Sequence, residues 1–240
     1  MNYYKTLFRA DYAATLRFYD RLYPLSQSFQ GYPDWWTDRL SVTLQNFDRH
    51  CSLHLGHKVY VYAQDTKGRE DDDNPRIREA IEVVSRELEI PKYQRVGFRR
   101  IYLQKVVMDF EHLVSLFARK LLAQNKEITE GICPSLDDVA YVVDYSDGGS
   151  KVKLRMGPMK KDELELHLQP DRRNNFHVLQ QSLRGAEIYS DCPEVTLLVD
   201  IDYSRESVGS DDVLGFYEAG LAFHNMLTKN VVNYVFGIEK

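Results

Sequence analysis

Strict alternation of apolar and polar residues is the dominant signal along this chain. Phe8, Ala10, Tyr12, Ala14, Leu16 and Phe18 alternate with Arg9, Asp11, Ala13, Thr15 and Arg17, which predicts a strand over about 7–18. Tyr12, Leu16, Tyr19 and Tyr23 also fit a helical stripe ending before Pro24, but the period-two match is longer. "QGYPDWW" reads as an irregular corner anchored by burial of its two Trp. "SVTLQNF" and "SLHLGHKVYVYAQD" read as strands joined by a turn near Asp48–His50, and "YQRVGFRRIYLQKV" as another. In the second half "VAYVVDYS" and "KVKLRMG" flank "DGGS", a hairpin signal because Gly148 and Gly149 tolerate positive φ. "ELELHLQ" and "EVTLLVDIDYS" complete the expected strands.

Helical period appears in four places. After the charged loop "GREDDDNP", Asn74 and Pro75 suit the start of a helix burying Ile77, Ala80, Ile81, Val84 and Leu88. A second helix over about 109–123 presents Phe110, Leu113, Val114, Phe117 and Leu121 on one face. "NNFHVLQQSLRG" reads as a short helix with Gly185 past its end, and "SDDVLGFYEAGLAFHNML" as a helix with acids in its first turn. The expected class is therefore α+β, with largely antiparallel sheets and helices packed on one face.

Both halves read strand, strand, strand, helix, strand, helix at an offset of about 100 residues. Two pseudo-repeated βββαβα lobes, 1–107 and 108–240, are one expected organisation; a single continuous domain is the other. Forty-three per cent hydrophobic residues in 240 give enough core to need no disulfide or metal staple, and sixteen Tyr with eleven Phe suit sheets. The three cysteines, Cys51, Cys133 and Cys192, are scattered and suggest free thiols in a reducing compartment. No apolar h-region opens the chain and no run approaches ~18 apolar residues, so a cytoplasmic protein without a membrane span is expected. A net charge of −5 disfavours a dedicated nucleic-acid binder.

"LLVDIDYS" raises the question of chemistry. On a strand Asp200 and Asp202 share a face about 6–7 Å apart. Two such charges repel by only ~0.6 kcal/mol in water but by ~2.5 kcal/mol at an effective dielectric near 20. A half-buried face would thus require a cation or a base such as Arg99 beside them; an exposed face would not. "RHCSLHLGH" gathers His50, Cys51, His54 and His57, but strand parity sends them to opposite faces, away from a shared zinc. No dinucleotide, P-loop or nucleophile-elbow motif occurs, and no Ser or Cys has a suitably spaced His. Lys151, Lys153 and Arg155 form a cationic strand face that either tracks phosphates or pairs with acids such as Glu163 and Glu165 on the next strand.

Arg95, Gly97, Phe98, Arg99, Arg100 and Ile101 of "RVGFRRIYLQKV" loosely fit an R-x-G-L-R-Y-I-N motif, with Arg100 and Tyr102 in place of its Tyr and Asn. With the D-x-D of "LLVDIDYS" and the closing helix "AFHNMLTKNVVNYV", the chain resembles a sporadically distributed prokaryotic family of uncharacterised proteins. The resemblance implies an accessory cytoplasmic protein in a mobile or defence-related gene neighbourhood, and it implies no enzymatic activity.

The expected function is therefore non-enzymatic binding to a partner protein, with no catalytic residue, no cofactor and no metal. Tyr60, Tyr62, Arg100 and Tyr102 are suspects for the interface because Tyr and Arg are favoured there. Arg99, Asp200, Asp202, Lys151, Lys153 and Arg155 are the other candidate binding residues. Two alternatives stand. One is a nucleic-acid-binding or nuclease-like protein, similar in gross plan to CRISPR RNA-processing endonucleases but without their C-terminal glycine-rich loop. The other is a metal-dependent hydrolase using Asp200 and Asp202.

Overall fold

The computed structural model describes residues 2–66, 74–122, 136–168 and 193–237. In chain order these form β1 (Asn2–Tyr12), α1 (Arg17–Asp20), α2 (Leu22–Ser28), β2 (Asp34–Thr37), β3 (Ser41–Asn46), β4 (Cys51–Gly56) and β5 (Val59–Asp65). There follow α3 (Asn74–Leu88), β6 (Lys92–Lys105), α4 (Phe110–Leu122), β7 (Tyr141–Asp147), β8 (Ser150–Lys160) and α5 (Lys161–Leu168). The chain closes with β9 (Val195–Gly209), a 3-10 turn at Ser210–Asp212 and α6 (Val213–Phe236). The fold is α+β. All nine strands join one antiparallel sheet in the order β2-β3-β4-β5-β1-β6-β9-β8-β7.

The sheet is continuous across residue 107, because β6 and β9 pair from Lys92 opposite Gly209 to Lys105 opposite Thr196. The described strands are arranged differently in the two halves. In the first, β1 lies beside β6; in the second, β7 is the sheet's edge and β8 separates it from β9. Among the described residues no helix is long and apolar enough to cross a membrane.

One face of the sheet carries the main core. Phe8, Ala10 and Tyr12 of β1, Tyr60 and Tyr62 of β5, Phe98 of β6 and Val199, Ile201 and Tyr203 of β9 pack under α2, α3 and α6. The stripe expected on α3 is buried in full, and on α4 Phe110, Leu113, Val114 and Phe117 are buried. Tyrosines are common because they tile this layer: Tyr12 and Tyr60 meet Tyr93 edge to face, and Tyr217 meets Phe8 and Phe98 likewise. Each such contact adds about 0.5–1.5 kcal/mol beyond area burial. Tyr60 and Tyr62 are fully buried here, so they are core residues and not interface residues.

Helix α6 comes close enough to touch the sheet because Gly220 has no side chain. A Cβ there would lie 3.1 Å from Tyr203 and 3.3 Å from Phe98. Gly220→Val is expected to cost about 1–3 kcal/mol through overpacking, read as a lower urea midpoint at unchanged slope.

Four local expectations are corrected. Strand β1 ends at Tyr12, not near 18, because its neighbours stop there: Asp11 is the last residue opposite β5 and Tyr12 the last opposite β6. Leu16 is then 82% exposed and Phe18 is buried from α1 instead. The corner at "DWW" is the edge strand β2, and both its Trp are exposed. "SLHLGHKVYVYAQD" breaks at His57–Lys58 into the hairpin β4–β5. "ELELHLQ" lies largely in the helix α5, not a strand. Its Leu164 and Leu168 are also four apart, which suits a helix equally. Glu163 accepts from the Lys160 backbone N–H at 3.0 Å, completing a capping interaction. Leu164 is buried against Ile101, Leu103 and Leu198, so α5 covers one end of the face opposite the main core. The expected "NNFHVLQQSLRG" helix and most of the "GREDDDNP" loop lie outside the described residues.

Candidate functional site on the charged face

Strand parity sorts each central strand into an apolar and a charged set. On β6, Val96, Phe98, Arg100 and Tyr102 enter the core, so Arg95, Gly97 and Arg99 project from the opposite face. On β9 the outward set is Asp200, Asp202 and Ser204; on β8 it is Lys151, Lys153 and Arg155. Register then aligns them in rows across the sheet. One row runs Arg9, Gly97, Ser204, Lys151; the next runs Leu7, Arg99, Asp202, Lys153, Asp144.

The two aspartates have different environments. Arg99 stands opposite Asp202 in register but donates diagonally to both oxygens of Asp200, at 2.8 and 2.6 Å. The Asp200 side chain is only 5% exposed, so it is not on a wet flank. The low-dielectric branch of the charge argument applies, with Arg99 as the neutralising base. Among the described residues Asp202 has a single ion pair, to Arg95 at 3.7 Å. Burial raises its pKa above the ordinary carboxylate value, although Arg95, Arg99 and Lys153 pull it down.

Around this pair lie two hollows. The first, about 190 Å³, is lined by Leu7, Arg9, Asp11, Arg95, Gly97, Arg99 and Asp202. Gly97 gives it depth, since a side chain there would fill it. The second, about 160 Å³, is lined by Arg99, Lys153, Arg155, Asp200 and Asp202. Arg9 is held by Asp11 through three contacts of 2.7–3.1 Å. Lys151 pairs with Glu206 of β9 at 2.7 Å and Lys153 with Asp144 of β7 at 3.8 Å, not with Glu163, which lies in the first turn of α5. Arg155 is exposed and, among the described residues, makes no ion pair.

Five of the eight candidate residues, Arg99, Asp200, Asp202, Lys153 and Arg155, are thus brought together, with Lys151 one row away. Arg100 and Tyr102 are not at this surface. Arg100 is 3% exposed, donates to Thr6 Oγ1 and Asn74 Oδ1, and lies 5.0 Å from the centre of the Phe98 ring. Asn74 is therefore engaged in tertiary contacts, also accepting from the Tyr217 hydroxyl. The Tyr102 hydroxyl lies 3.2 Å from Nδ1 of the buried His224. Parity decides both corrections: neighbours of Arg99 and Ile101 on a strand must point the other way. Arg9, Asp11 and Gly97 were not singled out for the site from sequence. The i, i+2 spacing of Arg9 and Asp11 was visible, but their strand's neighbours were not.

Among the described residues no three His, Cys, Asp or Glu side chains gather as a metal site. In "RHCSLHLGH", Cys51 is buried in the core while His54 bonds Thr43 Oγ1 at 3.0 Å on the other face. No protein-family model and no curated protein matches this chain.

Proposed function

We propose that this is a non-catalytic binding protein, and that its charged sheet face docks an acidic segment of a partner protein encoded in its own gene neighbourhood. The observation that carries this reading is the uneven pairing of the cations. Arg9 and Arg99 are locked by bidentate carboxylates, whereas Arg95 and Lys153 have only contacts near 3.7–3.8 Å and Arg155 has none among the described residues. Exposed, loosely paired guanidinium groups on a rigid sheet are ready donors to incoming carboxylates. The positions that carry the family resemblance support the same face: Arg95, Gly97, Arg99, Asp200 and Asp202 all line the hollows.

A nucleic-acid partner has less support. No aromatic ring lines either hollow, so bases would find no stacking platform. Asp11, Asp202, Glu206 and Asp144 would also face the phosphates. The hydrolase reading is weakened by Arg99, which takes both oxygens of Asp200.

Capture from native lysate tests the proposal. The full chain should retain a stoichiometric protein that an Arg95→Ala, Lys153→Ala, Arg155→Ala triple variant does not, at equal melting temperature. Retention should weaken as salt rises. Equal capture by the triple variant, or no stoichiometric partner, overturns it; a salt-dependent shift of short RNA would favour the nucleic-acid reading.

A further inference from the structure

Three departures from regular backbone meet at the end of the sheet where β1 stops. Asp11 pairs with Arg95 and Tyr12 with Tyr93, which leaves Gln94 as an extra, bulged residue of β6. Opposite it on β9, Ser207 has φ 59°, and at the end of α3 Glu89 has φ 49°. Glu89 is explained by its helix, since Ile90 N–H bonds Ser85 O and Glu89 N–H bonds Arg86 O, the hydrogen-bond pattern of a left-handed helix stop. Ser207 has no such explanation. Non-glycine residues in this region and bulges both concentrate beside binding sites.

These residues border a cavity of about 540 Å³, within the usual range for small-molecule sites and sharing no lining residue with the charged hollows. Its walls are largely apolar, from Ala13, Ala14, Ile90 and Pro91. Its charged lining is Arg17, Lys92 and Glu89. Arg17 and Glu89 neutralise one another in an ion pair. Lys92 makes no ion pair among the described residues, so the cavity carries one net positive charge. We propose that this cavity binds a small organic anion with an apolar body, its carboxylate or sulfonate against Lys92 and its body along Ala14 and Pro91.

The probe is 1-anilinonaphthalene-8-sulfonate, titrated into the full chain with fluorescence as the readout. Saturable one-to-one binding is expected, displaced by octanoate. Ala14→Trp, an exposed loop position that fills the cavity, should weaken it more than about tenfold, and Lys92→Gln by about tenfold, or ~1.4 kcal/mol. Arg155→Gln should leave it unchanged, which separates this site from the docking face. Equal binding by wild type and the folded Ala14→Trp protein overturns the proposal. If Ala14→Trp does not fold, unchanged affinity in Lys92→Gln overturns it instead.

Discussion

An Arg99→Met variant is expected to melt about 5–15 °C below the parent protein. The reason is the carboxylate it leaves behind. Asp200 is 5% exposed and accepts a bidentate pair of hydrogen bonds from Arg99. Removing one partner of a buried pair strands an uncompensated charge, which costs about 3–5 kcal/mol when both partners are fully enclosed. Arg99 is itself 40% exposed, so solvent screens part of this and about 2–4 kcal/mol remains. For a chain of this size each kcal/mol moves the melting temperature by about 2–4 °C.

Asp200→Asn in the same protein should restore much of the loss, because a neutral amide no longer needs a cation; a double-mutant cycle measures the coupling. Asp202→Asn should behave in the opposite sense. Burial holds the Asp202 pKa above its ordinary value, so ionising this carboxyl costs the folded state stability. The substitution should leave stability unchanged or slightly raised at neutral pH, an effect that vanishes below pH ~3.8, where Asp202 is protonated in both states. Equal destabilisation by Asp200→Asn and Asp202→Asn would sink this account of the pair.

Acidification should unfold the protein through His224. The imidazole is fully buried among Phe98, Tyr102 and Phe223, and burial, with Arg100 nearby, pushes its pKa down to about 3 from 6.5. The folded value is below the unfolded one, so between these two pH values the unfolded chain binds the extra proton. Stability is whole above pH 6.5 and is lost as pH falls, at up to ~1.4 kcal/mol per unit. The loss reaches about 3 kcal/mol at pH 4 and about 4 kcal/mol at pH 3. Urea midpoints measured at pH 7 and pH 4 should separate far less in His224→Gln than in the parent. Identical pH slopes in the two proteins would show that His224 is not the acid-labile group.

Much of this architecture was legible in the alternation of residues. Period two across β3, β6, β8 and β9, and period 3.6 across α3, α4 and α6, mark elements whose one-sided burial is a local property of spacing. The Gly148–Gly149 hairpin was legible for the same reason, since a positive φ at both positions favours glycine. The site was half legible. A paired aspartate motif and a basic strand are visible as letters, and the need for a base beside half-buried acids follows from electrostatics. That Arg99 and not Arg100 supplies it depends on which face of β6 the helices cover.

What the chain determined alone was most of the elements, the class of the fold and the two-sided alternation along its strands, because these rest on neighbours within a few residues. Only the tertiary structure decided where β1 ends, whether "ELELHLQ" coils, which strands adjoin and which acid is enclosed. Those outcomes depend on contacts between residues some hundred positions apart, as with Arg99 and Asp200, and sequence spacing carries no record of them.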